Sequence, residues 1–198
     1  MEEQVPLTIA AVILAGGQSS RMGQHKALLP FRGTTFLSLL ITQLQPMVSQ
    51  VFVGGSPEKD LYVGIGVDIL SDPEPFVGAG PLAGLLAALN SCDSDLLLCV
   101  PCDNPQLPAN LVSKLIAAME KNNADLVYVD DGESEYPLYA LLKTSLRQSL
   151  QDYLQAGEKR VFGWIKMNNS KAVNFSAERA YFCNINSAAE YQQFIDKT

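Results

Sequence analysis

A chain of 198 residues is long enough for one domain with a full hydrophobic core and too short for two complete ones. Its composition is ordinarily globular (47% hydrophobic, 18% charged), and a net charge of −7 argues against a nucleic-acid surface or an anionic membrane as partner. Four scattered cysteines, an acidic Met1-Glu2-Glu3 start and the lack of a membrane-length apolar run make the cytoplasm the expected compartment.

The first predicted element is a strand over residues 9–14, apolar and β-branched enough to be buried on both faces. It breaks into Ala15-Gly16-Gly17-Gln18-Ser19-Ser20-Arg21-Met22-Gly23, with Lys26 three residues further on. Adjacent glycines let the backbone turn sharply and leave no Cβ between its N–H groups and a ligand. With hydroxyls, an arginine and a lysine following at once, the stretch has the inventory for holding a polyphosphate. It is neither a Walker loop, which needs Lys directly after its second glycine, nor the G-x-G-x-x-G dinucleotide fingerprint. Between Glu3 and Glu58 there is no acidic residue, whereas Arg21, Lys26 and Arg32 lie in that interval, as an anionic ligand would require. An ordinary glycine-rich turn is the alternative.

Gly33 marks a turn, and Thr34 or Thr35 opens a helix whose Phe36, Leu39, Leu40 and Leu44 repeat at helical spacing until Pro46. Residues 51–53 read as a short strand closed by Gly54-Gly55, and residues 67–70 as another, ending at Ser71-Asp72-Pro73. After a loop rich in Pro and Gly, Gly80-Pro81 opens a helix with proline where its missing N–H costs nothing. Residues 96–100, apolar throughout, predict the central strand, which runs into Pro101-Cys102-Asp103-Asn104-Pro105. Pro108 opens a further helix with Leu111, Leu115 and Met119 on its apolar face, and residues 126–129 return as a strand. Strands joined by helix-length crossovers predict an α/β fold, three-layered and Rossmann-like with a mostly parallel sheet.

From Asp130 the rhythm changes. Residues 130–135 read as a solvated acidic turn, 136–142 as a strand and 146–154 as a helix, before a break at Gly157-Glu158-Lys159-Arg160. Short strands are expected at 173–175 and 181–183, then a last helix with Ser187 and Glu190 at capping-box spacing. This reads as an α+β extension of the same sheet, so that one domain holds residues 1–198, a first part of about 1–130 and the extension of about 131–198.

In an open α/β sheet ligands sit beyond the carboxyl ends of the strands near a topological switch point, where Gly16-Gly17, Asp72 and Asp103 fall. Asp103, flanked by Pro101 and Pro105, suits a single-carboxylate Mg²⁺ ligand or an Asx-turn, and Asp72 is equally well a turn residue. Cys99 and Cys102 match C-x-x-C but read better as buried small hydrophobes than as a zinc or redox pair. A single histidine, His25, leaves no Ser-His-Asp or Cys-His set, so chemistry needing little proton transfer is expected. Nucleotidyl transfer to an acceptor phosphate fits. A phosphate monoester, with a second pKa of about 6, is mostly ionised near neutrality and attacks the α-phosphorus without a general base. The protein then positions the partners and neutralises charge.

Leu14-Ala15-Gly16-Gly17-Gln18-Ser19-Ser20-Arg21-Met22-Gly23 with Lys26 resembles the opening motif of the molybdenum cofactor guanylyltransferases, relatives of the sugar-nucleotide pyrophosphorylases. Gly80-Pro81-Leu82-Ala83-Gly84 and Pro101-Cys102-Asp103-Asn104-Pro105 resemble the second and third motifs of that family. Tyr153-Leu154-Gln155-Ala156-Gly157-Glu158-Lys159-Arg160-Val161 and Phe182-Cys183-Asn184-Ile185-Asn186 resemble its C-terminal ones, in the same order. The resemblance implies the nucleotide-diphospho-sugar transferase fold, GTP as co-substrate, Mg²⁺ as cofactor, the molybdopterin phosphate as acceptor and pyrophosphate as leaving group. It implies Arg21, Lys26 and Asp103 as catalytic groups, Asp103 also being the metal ligand. Leu14, Ala15, Gly16, Gly17, Asp72, Gly80 and Gly84 join Lys26 and Asp103 around the nucleotide, and Arg160, Asn184 and Asn186 face the pterin. Residues 1–130 would then be the GTP and Mg²⁺ half and 131–198 the acceptor half. Molybdenum-inserting proteins and apo-molybdoenzymes are the implied partners.

Gly-Gly in the opening motif resembles the guanylyl branch, whereas the cytidylyl relatives tend to have Ala-Gly. Two positions depart from the family: His25 stands where relatives commonly have Asp, and Gly54 where some carry an Asn, which removes one possible nucleotide hydrogen bond. Open alternatives are a cytidylyltransferase or sugar-phosphate nucleotidylyltransferase of the same fold, and a non-catalytic module that delivers cofactor. Arg160 has its own alternative, a local pair with Glu158.

Overall fold

A computed structural model describes residues 7–16, 25–55, 59–62 and 64–197. Its first part runs β1 (Ile9–Leu14), a hairpin of β2 (Pro30–Phe31) and β3 (Thr34–Thr35), α1 (Phe36–Leu44), β4 (Gln50–Gly54), β5 (Asp68–Ile69), α2 (Pro81–Ser91) and β6 (Leu96–Pro101). Then come α3 (Leu111–Asn122), β7 (Leu126–Asp130), β8 (Glu135–Lys143), α4 (Arg147–Gln155), α5 (Val161–Met167), β9 (Ser170–Asn174) and α6 (Ala188–Lys197).

Local chemistry sets several of these boundaries. The Thr35 hydroxyl accepts from the Ser38 N–H at 3.2 Å and so starts α1. Pro81 occupies the first turn of α2, and Asn123 ends α3 in the left-handed conformation that asparagine tolerates.

Seven strands form one sheet in the order β5-β4-β1-β6-β8-β7-β9, parallel throughout except for β8, which runs against both its neighbours. Alternating side chains feed two cores. Ala11, Ile13, Val53, Leu98 and Val129 face α1 and α3, while Ala10, Val12, Phe52, Leu97 and Cys99 face α2, α4 and α5. The three-layer α/β architecture expected from the sequence is therefore present. From β1 the chain steps outward to β4 and β5, then returns to β6 on the other flank of β1, so the order reverses between β1 and β6.

The extension differs in three places. The expected strand at residues 181–183 is the end of a 3-10 segment, Ser176–Phe182, in which buried Phe182 between exposed neighbours imitates strand alternation without a strand partner. The parallel edge strand is Ser170–Asn174, earlier than expected, with buried Phe175 just beyond it. Helix α5 was not anticipated. It is only seven residues long and has Gly163 inside it, so neither length nor propensity marks it. After the 3-10 segment the chain crosses the carboxyl-end edge of the sheet and enters α6. There Ile185 joins Leu29, Phe31 and Phe36 in a third small core, flanked by Tyr191 and Phe194.

Candidate active site

The carboxyl ends of β1 and β6 lie side by side, with Leu14 opposite Pro101. The Leu14 carbonyl accepts from the Cys102 N–H at 3.1 Å, and the Ala15 N–H donates to the Gly54 carbonyl at 2.9 Å. These two groups therefore extend the sheet. Beyond them Gly16 lies against Gly55, where a Cβ on Gly16 would fall 1.9 Å from the Gly55 carbonyl oxygen. A Cβ on Gly84 in α2 would sit 2.9 Å from the Gly55 nitrogen, and one on Gly54 would sit 3.0 Å from the Gly84 carbonyl oxygen. Four glycines thus let β1, β4 and α2 meet backbone to backbone. From sequence Gly16 is explained by ligand approach and Gly84 only by its place in a family motif, and the structure gives both a packing reason. At Gly54, a side chain would force α2 to give way.

Gly80 takes φ 83° immediately before Pro81 and is exposed at the start of α2. Asp72 fixes the loop leading there, since its Oδ2 accepts from the Gly78 N–H at 3.1 Å. Its Oδ1 is buried with no partner among the described residues. Gly17 and Arg21 lie outside the described residues.

Lys26 begins a 3-10 turn, Lys26–Leu28, that buried Ala27 and Leu29 fasten to the core. Its ammonium donates to Asn186 Oδ1 at 2.5 Å, across 160 positions of sequence. Asp103, in the turn after β6, lies near enough to feel the charge of Lys26. Burial pushes the Asp103 carboxyl above its ordinary value, and the charge of Lys26 offsets part of that shift. Asp103 Oδ1 is buried and has no hydrogen-bond partner among the described residues. A buried carboxylate oxygen of this kind fits a magnesium ion. Among the described residues no group of three His, Cys, Asp or Glu could hold a metal, so the remaining ligands would be phosphates and water, as magnesium prefers.

The segment leaving β9 brings Asn184 and Asn186 to this point. Glu178 is tied to α3 by Asn110 at 2.7 Å and by Lys114 at 3.0 Å, and the Lys114 ammonium lies 4.2 Å from the centre of the Phe175 ring. Asn104, 1% exposed, donates to the Tyr181 carbonyl, and the Ile185 N–H donates to the Asp103 carbonyl at 3.0 Å. At the far end the Ser187 hydroxyl accepts from the Glu190 N–H at 3.2 Å, and Glu190 Oε2 accepts from the Asn186 N–H at 2.7 Å. The capping-box spacing therefore marks a real cap, and it also fixes Asn186. Asn104 escaped the sequence reading. Its signal is a polar amide between two prolines in a turn that is otherwise buried.

Beside Asp103 lies a cleft of about 610 Å³ lined by Asp103, Tyr136, Tyr139, Arg179, Phe182 and Asn184 among others. The acidic turn, read from sequence as solvated, is one wall of it. Burial alone would raise Asp131, but the N–H groups of Glu133 and Ser134, the Tyr136 hydroxyl and the nearby Arg179 charge hold it below the usual carboxylate value. Arg179 also pairs with Glu133 and donates to the Asp131 carbonyl at 3.1 Å. Tyr136 and Phe182 lie with ring centres 5.5 Å apart, and Tyr139 meets Phe182 edge-on at 5.2 Å.

The structure does not bring Arg160 to this cleft. It is exposed at the start of α5, where its carbonyl accepts from the Tyr153 hydroxyl at 3.0 Å, and among the described residues it forms no ion pair with Glu158. Cys99 and Cys102 are buried free thiols that burial pushes up, Cys102 to about 12. They are the small hydrophobes expected and not the thiolates that redox or zinc chemistry needs.

Residues 11–171 match the family described as MobA-like NTP transferase domain. The molybdenum cofactor guanylyltransferase of Shewanella putrefaciens is 39% identical over 98% of this chain and 100% of its own length. That of Mannheimia succiniciproducens is 38% identical over 93% of this chain and 97% of its own. Among solved structures, the molybdopterin-guanine dinucleotide biosynthesis protein A from Archaeoglobus fulgidus shares the fold at a TM-score of 0.80 and 21% identity, covering 96% of this chain and 97% of that one. With nearly the whole length matched and the fold shared, this chain belongs to the molybdenum cofactor guanylyltransferases of the MobA-like NTP transferase family.

Proposed function

We propose that this protein transfers GMP from GTP to the phosphate of molybdopterin, releasing pyrophosphate and forming the guanine dinucleotide form of the molybdenum cofactor. The observation that supports this best is the meeting of Lys26, Asp103 and Asn186 at the sheet's switch point, in a chain whose relatives are named molybdenum cofactor guanylyltransferases. GTP would lie along the ends of β1 and α2, with Gly16, Gly17, Asp72 and Gly80 around it and Lys26 and Arg21 neutralising the triphosphate. Mg²⁺, held by Asp103, would supply charge neutralisation among the phosphates when bound. The acceptor would lie on the far side of Asp103, against Asn184 and Asn186, and Arg160, exposed outside that cleft, would meet a part of the acceptor that extends beyond it. Its ionised phosphate is itself the nucleophile, so the protein's work is to hold it in line and keep the charges balanced. Residues up to about 130 form the GTP half and those beyond it the acceptor half. Apo-molybdoenzymes would take up the product.

The test is to supply GTP, CTP or ATP with Mg²⁺ and molybdopterin and to measure pyrophosphate. A base held by hydrogen bonds leaves polar groups unpaired with the wrong base, so GTP should be preferred by at least roughly 10-fold in kcat/KM. Equal use of CTP would overturn the guanylyl assignment. Binding of GTP with no transfer would instead indicate a delivery module.

A further inference from the structure

The cleft beside Asp103 contains a group that neither the fold nor the residues already discussed account for. Tyr139, on β8 next to the pair Ala140–Cys99, is 1% exposed, and its hydroxyl has no hydrogen-bond partner among the described residues. Buried phenols are normally paired, because an unsatisfied polar group in a protein interior is costly. Phenylalanine would fill the same volume against Phe182 and Tyr136 without that cost. The neighbouring Tyr136 shows the ordinary arrangement, donating its hydroxyl to Asp131 at 3.0 Å. Tyr139 is the exception within the same aromatic wall.

The nearest chemistry is informative. Asp103 Oδ1 is a buried acceptor without a partner, Tyr139 is a buried donor without one, and both line the same cleft, yet they do not bond to each other. Among the charged groups around Tyr139, Asp103 acts on it most strongly. A phenol is a neutral donor, so it can serve an anionic ligand without competing as a cation for the Asp103 carboxylate. The cleft's cation, Arg179, is already engaged by Glu133 and the Asp131 turn.

Resting on the guanylyltransferase reading, we propose that the Tyr139 hydroxyl donates to a phosphate oxygen of the acceptor beside Asp103, with the acceptor's flat heterocycle against the half-buried Tyr136, which Phe182 backs. Tyr139 is thus a substrate-binding residue whose oxygen serves the acceptor and not the fold.

The experiment compares wild type with Tyr139→Phe in the full chain. It measures thermal unfolding without ligands, GTP affinity by equilibrium titration, molybdopterin binding through pterin fluorescence, and steady-state pyrophosphate release. A hydrogen bond to a charged partner predicts a loss of about 10- to 100-fold in kcat/KM for molybdopterin, with matching weakening of its binding. The melting temperature should be unchanged or raised, and GTP affinity should stay within about twofold. A lower melting temperature with unchanged molybdopterin kinetics would make the hydroxyl structural and overturn the proposal. An equal loss of GTP affinity would place it on the wrong substrate. A wild type that releases no pyrophosphate with molybdopterin overturns the guanylyltransferase reading, and this proposal with it. An active wild type matched by Tyr139→Phe overturns this proposal alone.

Discussion

Gly16→Ala should destabilise the protein even with no nucleotide present. The added Cβ would lie 1.9 Å from the Gly55 carbonyl oxygen and 2.6 Å from its carbon, both backbone atoms with no rotamer to turn away. Ordinary carbon contacts begin near 3.5 Å, so the ends of β1 and β4 must part by roughly 1.5 Å. That movement stretches the bond from Ala15 N–H to the Gly54 carbonyl, which stands at 2.9 Å in the native protein. Losing one such bond costs about 0.5–1.5 kcal/mol, and overpacking adds about 1–3 kcal/mol. The sum is about 2–4 kcal/mol. For a chain of this length each kcal/mol moves Tm by about 2–4 °C, so a fall of roughly 5–15 °C is expected. Calorimetry on wild type and variant, first ligand-free and then with GTP, checks it. A ligand-free Tm within about 1 °C of wild type would refute the packing explanation and return Gly16 to a role in ligand approach alone.

Three further substitutions address the charged groups. Lys26→Ala should lower turnover by about 10²–10³ with little change in stability, as expected on removing one preorganised donor; near-normal pyrophosphate release would rule that role out. Asp103→Asn should abolish the Mg²⁺ dependence while leaving the ligand-free fold as stable or more so at neutral pH. Burial raises the folded-state pKa of Asp103, so the stability linked to its protonated form is lost as pH rises through that value, and asparagine removes the titration. Unfolding curves at pH 5 and 8 together with a Mg²⁺ titration test this, and a variant less stable than wild type at pH 8 would contradict it. Arg160→Ala should raise the KM for molybdopterin and leave the GTP dissociation constant within about twofold, which parallel titrations would establish.

The sheet was readable because its strands carry their own signal. Residues 9–14 and 96–100 are apolar enough to be central, and Thr35, Pro81 and the Ser187–Glu190 pair announce helix starts through chemistry that acts over four residues. What escaped depends on partners far away in sequence. Nothing near Phe182 says that it will pack against Phe175 and Tyr139 and not lie in a strand, and nothing near Asp131 says that Arg179 will close over it. The Gly54-Gly55 pair was legible as a turn, but its contact with Gly16 and Gly84 joins three elements and has no local signature. Lys26 and Asp103 were found as separate motifs. Their meeting with Asn186 is a product of the topology.

The link from Lys26 to Asn186 also orders events in time. Pairings between residues 160 positions apart form late, because the chain between them must first be organised at an entropic cost. The pairing of β1 with β4 and β6 uses nothing beyond residue 101. A folding molecule can therefore pair β1, β4 and β6 before Asn184 and Asn186 arrive. The same asymmetry governs opening of the finished protein: the crossing segment can detach as a unit while the parallel strands stay protected from hydrogen exchange. In that partly opened form the sheet, the glycine contact and the α2 terminus persist, and the side of the Asp103 turn that Ile185 covers stands open to solvent.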